Sequence, residues 1–106
     1  MTSLTLGSQI YTQTELLALL NTSPRGDASL ILAHQLIAAK LNIANGSDPA
    51  PVSATITDAD SLLSQFGNLR LPYNVKSSSA IGQQMVNDAN VLDRYNEGDL
   101  TPDCQP

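Results

Sequence analysis

The 106-residue chain is 42% apolar and 14% charged, enough apolar material for one packed domain and an argument against global disorder. Its net charge of −5, with Lys40 and Lys76 its only lysines, leaves too few cations to displace counterions from nucleic acid or to grip an anionic membrane surface. The lone cysteine, Cys104, has no partner within the chain, and no basic stretch followed by an apolar run marks a signal peptide after Met1.

The first element expected is a hairpin. Leu4 to Tyr11 (LTLGSQIY) alternates weakly around Gly7-Ser8, a turn pair, and the strands are short enough to need something to pack on. Thr12-Gln13-Thr14-Glu15 then reads as a capping box, in which the Thr12 hydroxyl and the Glu15 carboxylate each accept from the other's backbone N–H. Leu16, Leu17, Leu19 and Leu20 form the first helix, which ends near Asn21, and Ser23-Pro24-Arg25-Gly26 makes a turn.

Asp27 to Asn45 (DASLILAHQLIAAKLNIAN) is the stretch around which the others are arranged. Its apolar residues occupy most of the helix circumference: Leu32, Leu36 and Ile43 on one side, Leu30, Ile37 and Leu41 on a second, Ile31 and Ala38 on a third. Such a helix is expected to be buried centrally. Asp27 is its N-cap, Gly46 its left-handed stop, and the interruptions at His34, Gln35, Lys40 and Asn42 exclude membrane insertion.

A third helix opens at Asp48 and Pro49, or nearer Ser53 if Pro51 does not fit the first turn. Val52, Ile56, Ala59, Leu63 and Phe66 form its apolar stripe, Asp58 and Asp60 fall on its solvent side, and Gly67 closes it. Asn68 to Lys76 has no helical period and contains Pro72, so it is read as an extended connection anchored by Leu69, Leu71, Tyr73 and Val75. Ser77 to Ser79 caps a fourth helix with Ile81, Met85, Ala89, Leu92 and Tyr95 at helical spacing, ending at Gly98. Gly82 within it costs about 1 kcal/mol relative to Ala and points to close packing against another backbone. The expected fold class is therefore mainly α: a small antiparallel bundle of four helices around a central buried helix, with a short N-terminal β-hairpin. Residues 1–98 form the single helical domain and 99–106 a polar C-terminal tail.

Few residues carry chemistry. His34 is the only histidine and, with Gln35 beside it in sequence but about 100° away on the helix, is the candidate binding residue; an imidazole satisfied by backbone or side-chain partners is the simpler reading. Asn45-Gly46-Ser47-Asp48 and Asp58-Ala59-Asp60 fail the spacing of a calcium loop, since Pro49 and Pro51 interrupt and no acidic ligand closes it. No second histidine or cysteine pair is available for zinc, and no nucleophile elbow is present, so no metal, cofactor or catalytic residue is expected. Arg25-Gly26-Asp27 is the tripeptide read by adhesion receptors, but Asp27 already serves as N-cap; Asn21-Thr22-Ser23 and Asn45-Gly46-Ser47 fit the glycosylation rule.

Leu4-Thr5-Leu6-Gly7, Tyr11, Leu16-Leu17, Pro24-Arg25-Gly26-Asp27, the run Leu32-Ala33-His34-Gln35-Leu36-Ile37-Ala38-Ala39-Lys40-Leu41-Asn42, and Leu92-Asp93-Arg94-Tyr95-Asn96-Glu97-Gly98 with Cys104 near the end together resemble a small helical module of secreted bacterial multidomain proteins. That module usually follows a Gly-Tyr-Trp-Lys-Asn-His-Pro segment, which is absent here, as is any tryptophan. The resemblance implies an extracellular setting and a non-enzymatic role, and supplies no site. Cys104 is then either an inert exposed thiol or half of a disulfide whose partner lies outside this chain. The expected function is a non-catalytic extracellular structural or interaction module able to self-associate, with other domains of a larger secreted protein, or itself, as partner and nucleic acid excluded. The alternative is a small ligand- or protein-binding domain with a pocket between helices near His34.

Overall fold

The computed structural model describes residues 3–66, 71 and 73–97. The expectations placed on Gly67, Leu69, Pro72, Gly98, Cys104 and the tail 99–106 lie outside these residues.

The chain opens with two antiparallel strands, β1 (Ser3–Leu6) and β2 (Gln9–Thr12), with Leu6 opposite Gln9 and Leu4 opposite Tyr11. Gly7 turns the chain at φ +64° while Ser8 stays out of the left-handed region, which fits a II′ hairpin turn. A Cβ at Gly7 would come within 2.9 Å of the Leu63 Cβ, so the turn is pressed against the third helix. Leu4, Leu6 and Tyr11 share the face that enters the core.

Thr12 ends β2 and caps α1 (Gln13–Leu20). Its hydroxyl accepts from the Glu15 N–H at 3.3 Å, and its own N–H donates to Glu15 Oε1 at 2.9 Å, the reciprocal pair expected from the sequence. Leu16 and Leu19 are buried, whereas Leu17 and Leu20 face outward.

In α2 (Ala28–Ala44) no residue from Ala28 to Ile43 is exposed, and the helix touches β1, α1, α3 and α4. Asp27 caps it, accepting from the Ser29 N–H. At the other end Gly46 takes φ +107°; its N–H donates to Ile43 O at 3.0 Å and the Ser47 N–H to Asn42 O at 3.0 Å, a Schellman closure at the glycine that the sequence marks.

α3 (Ser53–Ser64) begins later than Asp48 and Pro49 imply. Asp48 Oδ1 accepts from the Ala50 N–H and the Val52 N–H donates to Pro49 O, each at 3.0 Å, so these residues close a separate turn before the helix. Pro51 lies inside that turn, and Val52 at the N-cap offers no side-chain acceptor. The stripe holds: Val52, Ala59 and Leu63 are buried, Ile56 and Phe66 half-buried, with Leu62 added. Phe66 stacks on Tyr73 at 4.3 Å between ring centroids, and Leu71 and Val75 are buried anchors of the connection to α4.

α4 (Ala80–Asn96) is capped by Ser79, whose hydroxyl accepts from the Gly82 N–H at 3.0 Å and donates to Lys76 O at 2.7 Å. Gly82 packs where a Cβ would overlap the Lys76 carbonyl, the close backbone approach its position implies. Met85, Ala89, Leu92 and Tyr95 are buried, and α4 packs against α2 and α3. The protein is thus mainly helical, with four helices and a short antiparallel hairpin at its N-terminus.

Candidate functional site

His34 and Gln35 are both half-buried and engage different neighbours. The His34 Nε2 lies 2.8 Å from Leu19 O, where it donates to a carbonyl of the last turn of α1. Gln35 reaches α4 instead: the Asn96 amide donates to Gln35 O at 3.1 Å and to Gln35 Oε1 at 2.9 Å, while Asn96 Oδ1 accepts from Asn42 Nδ2 at 3.0 Å. The structure therefore does not bring the two sequence candidates together on one ligand-sized space; one ties α2 to α1 and the other ties α2 to α4. Cys104 is outside the described residues.

Asp27 does more than its role as N-cap implies. Its carboxylate accepts four hydrogen bonds: from Ser29 N at 3.0 Å, Ser29 Oγ at 2.6 Å, Val75 N at 3.0 Å and Asn74 N at 3.1 Å. The Ala28 N–H donates to Val75 O at 2.8 Å, and the Tyr73 N–H to Ser29 Oγ at 3.0 Å. The start of α2 thereby grips the segment before α4. Arg25 at φ +48° and Asn74 at φ +59° flank the grip, and with Gly26, Asp27, Val75 and Lys76 they line a shallow hollow of about 180 Å³. In the Arg25-Gly26-Asp27 tripeptide the carboxylate is thus committed to the chain's own backbone.

Two half-buried carboxyls escaped the sequence reading, which put Asp58 and Asp60 on the solvent side of α3. Asp60 is half-buried: its oxygens lie 3.0 and 2.8 Å from Lys40 Nζ, and Oδ1 accepts from the Gly7 N–H at 2.9 Å. Lys40 also donates to Thr5 O, so one ion pair holds hairpin, α2 and α3 together. Asp58 remains exposed, and across from it on α4 Asp88 is half-buried, with Oδ2 out of solvent contact and without a hydrogen-bond partner among the described residues. Burial first, and then the neighbouring Asp58 carboxyl, raise the Asp88 carboxyl to about 7. Spacing held the clue to both. Asp60 lies four residues after Ile56 and three before Leu63, and Asp88 three after Met85 and four before Leu92, which sets each beside an apolar stripe. Among the described residues no three His, Cys, Asp or Glu side chains converge to hold a metal ion, and no helix is long and apolar enough to cross a membrane.

Among the described residues the exposed large apolar side chains all lie in the N-terminal unit. Leu17 and Leu20 are neighbours on the exposed side of α1, 53% and 38% exposed, and Ile10 of β2 is 64% exposed. Glu15 is the only charged residue between Ser3 and Pro24. No family model, curated protein or solved structure matches the chain.

Proposed function

We propose that this chain is a non-catalytic extracellular interaction module, a small antiparallel bundle built around α2, that self-associates through the outer face of α1. The observation that carries the reading is a pair of exposed leucines, Leu17 and Leu20, on an almost uncharged N-terminal unit of an acidic chain. Exposed apolar side chains grouped on one helix face favour contact with another protein surface. Two copies with net charge −5 repel when their acidic surfaces meet, and the segment from Ser3 to Pro24 lets them approach with little of that repulsion. The side chains best suited to chemistry have structural duties that favour a non-catalytic role: His34 closes α1, Asp27 grips the segment before α4, and Lys40 with Asp60 clips the hairpin. The extracellular setting rests on the resemblance to modules of secreted bacterial proteins.

Light scattering across a concentration series tests the proposal. The expected result is a mass that rises with concentration in the wild type and stays monomeric in the double variant Leu17→Lys, Leu20→Lys, with the helical circular dichroism unchanged. A wild type that remains monomeric at millimolar concentration would overturn self-association.

A further inference from the structure

We infer that Asn45 is the site at which this chain ages chemically, by losing its side-chain amide to water, and that the closure of α2 is the gate that sets the rate. The reaction needs an asparagine followed by a backbone nitrogen that no side chain crowds. The Gly46 nitrogen, once base has taken its proton, attacks the Asn45 Cγ. A C–N bond forms, the Cγ–Nδ2 bond breaks, and ammonia leaves with the proton returned to it. Water then opens the cyclic imide at either carbonyl, leaving an aspartyl or an isoaspartyl residue that carries a new carboxylate. Asn45 is the only asparagine of the chain followed by glycine; every other is followed by a residue whose side chain hinders the attack.

The fold leaves this pair in the open and locks its reacting nitrogen. Asn45 and Gly46 are exposed, and a Cβ on Gly46 would meet nothing within 4 Å, so water and base reach them. The Gly46 N–H is nevertheless engaged: it donates to Ile43 O, and the Ser47 N–H beside it donates to Asn42 O, each at 3.0 Å. A proton held in this closure is withheld from base, and the nitrogen cannot turn onto Cγ until the last turn of α2 opens. Amide hydrogen exchange at Gly46 begins with removal of the same proton, so the two reactions wait on one opening. The product weakens the gate in turn. Its carboxylate stands at the negative end of α2, whose last turn has no basic residue, and Lys40 is already paired with Asp60. The isoaspartyl form also adds a carbon to the main chain within the closure.

The test follows the conversion of amide to acid by peptide mapping of the full chain in mildly alkaline buffer, folded and in guanidinium chloride, beside hydrogen exchange at Gly46. The expected result is that Asn45 converts before any other asparagine in both states, and that folding slows it about tenfold or more, in step with the slowing of Gly46 exchange. Ser47→Pro removes one donor of the closure and leaves the Asn45-Gly46 pair intact. Measured against its own unfolded chain, its slowing should fall to about threefold or less. Conversion as fast in the folded chain as in the unfolded one, or earlier at another asparagine, would overturn the inference, as would a folded Ser47→Pro that keeps the wild-type slowing. Should Ser47→Pro not fold, the wild type decides: matching slowing of the two reactions supports the gate, and Gly46 protection more than about tenfold above the slowing at Asn45 removes it.

Discussion

At Asp27 a single carboxylate fixes two segments. Replacing it by alanine removes the cap of α2 and leaves the Asn74 and Val75 N–H groups without their acceptor. The expected loss is about 3 kcal/mol, a cap plus two backbone bonds, read as a shift in the urea midpoint. Asp27→Asn keeps one acceptor oxygen, so about half that loss is expected. The capping role is legible in the sequence because its partner, Ser29, lies in the next turn. The grip on Asn74 and Val75 is not legible, since those N–H groups are 47 and 48 residues away and no local pattern announces them. The same distinction applies to His34 and Gln35. Their helical setting can be read from periodicity, but the Leu19 carbonyl that accepts from His34 and the Asn96 amide that donates to Gln35 depend on how the helices dock. Gly7 belongs at this scale too. An alanine there would combine a left-handed backbone with a Cβ pressed on Leu63, and Gly7→Ala is expected to cost about 2 kcal/mol or more in the same assay.

Elements are held to one another by few polar contacts, and this makes their separate loosening measurable. Lys40 joins α2 to Asp60 on α3 and to the Thr5 carbonyl on β1, with the two charged side chains 17% and 29% exposed. Lys40→Met keeps most of the aliphatic stem but leaves Asp60 partly buried without its counter-charge. A loss of about 2 kcal/mol is expected, less than for a fully buried pair because water still reaches both groups. Hydrogen exchange checks the assignment: protection should fall first in the hairpin, whose turn is held by the Asp60 carboxylate through Gly7, while the α2–α4 seam keeps its rates. The element boundaries were legible wherever a cap announced them, as at Thr12, Asp27, Gly46 and Ser79. They were ambiguous where the signals competed. Before α3, Asp48 and Pro49 resemble a helix start, yet they close a turn of their own and the helix begins at Ser53, past Pro51.

For the whole molecule, the order of hairpin and four helices could be read because each longer helix carries an apolar pattern at helical period. What could not be read was which apolar residues the assembled core would leave outside. α1 has four leucines in two turns, and only Leu16 and Leu19 reach the core; Leu17 and Leu20 are left facing outward. From sequence alone the four mark a helix but cannot be divided between core and surface, because they cover most of the circumference of so short a helix. The proposed self-association makes these leucines responsible for a specific salt response. A contact built on opposite charges weakens when salt screens it, whereas a contact through an uncharged apolar face between two acidic molecules gains, because screening relieves their general repulsion. Raising ionic strength from about 0.05 M to 0.5 M, which shortens the screening length severalfold, should therefore strengthen the wild-type dimer in sedimentation equilibrium. The Leu17→Lys, Leu20→Lys variant should stay monomeric at both salt concentrations. A wild-type dimer that dissociates as salt rises would place the contact on charged surface elsewhere and remove α1 from it.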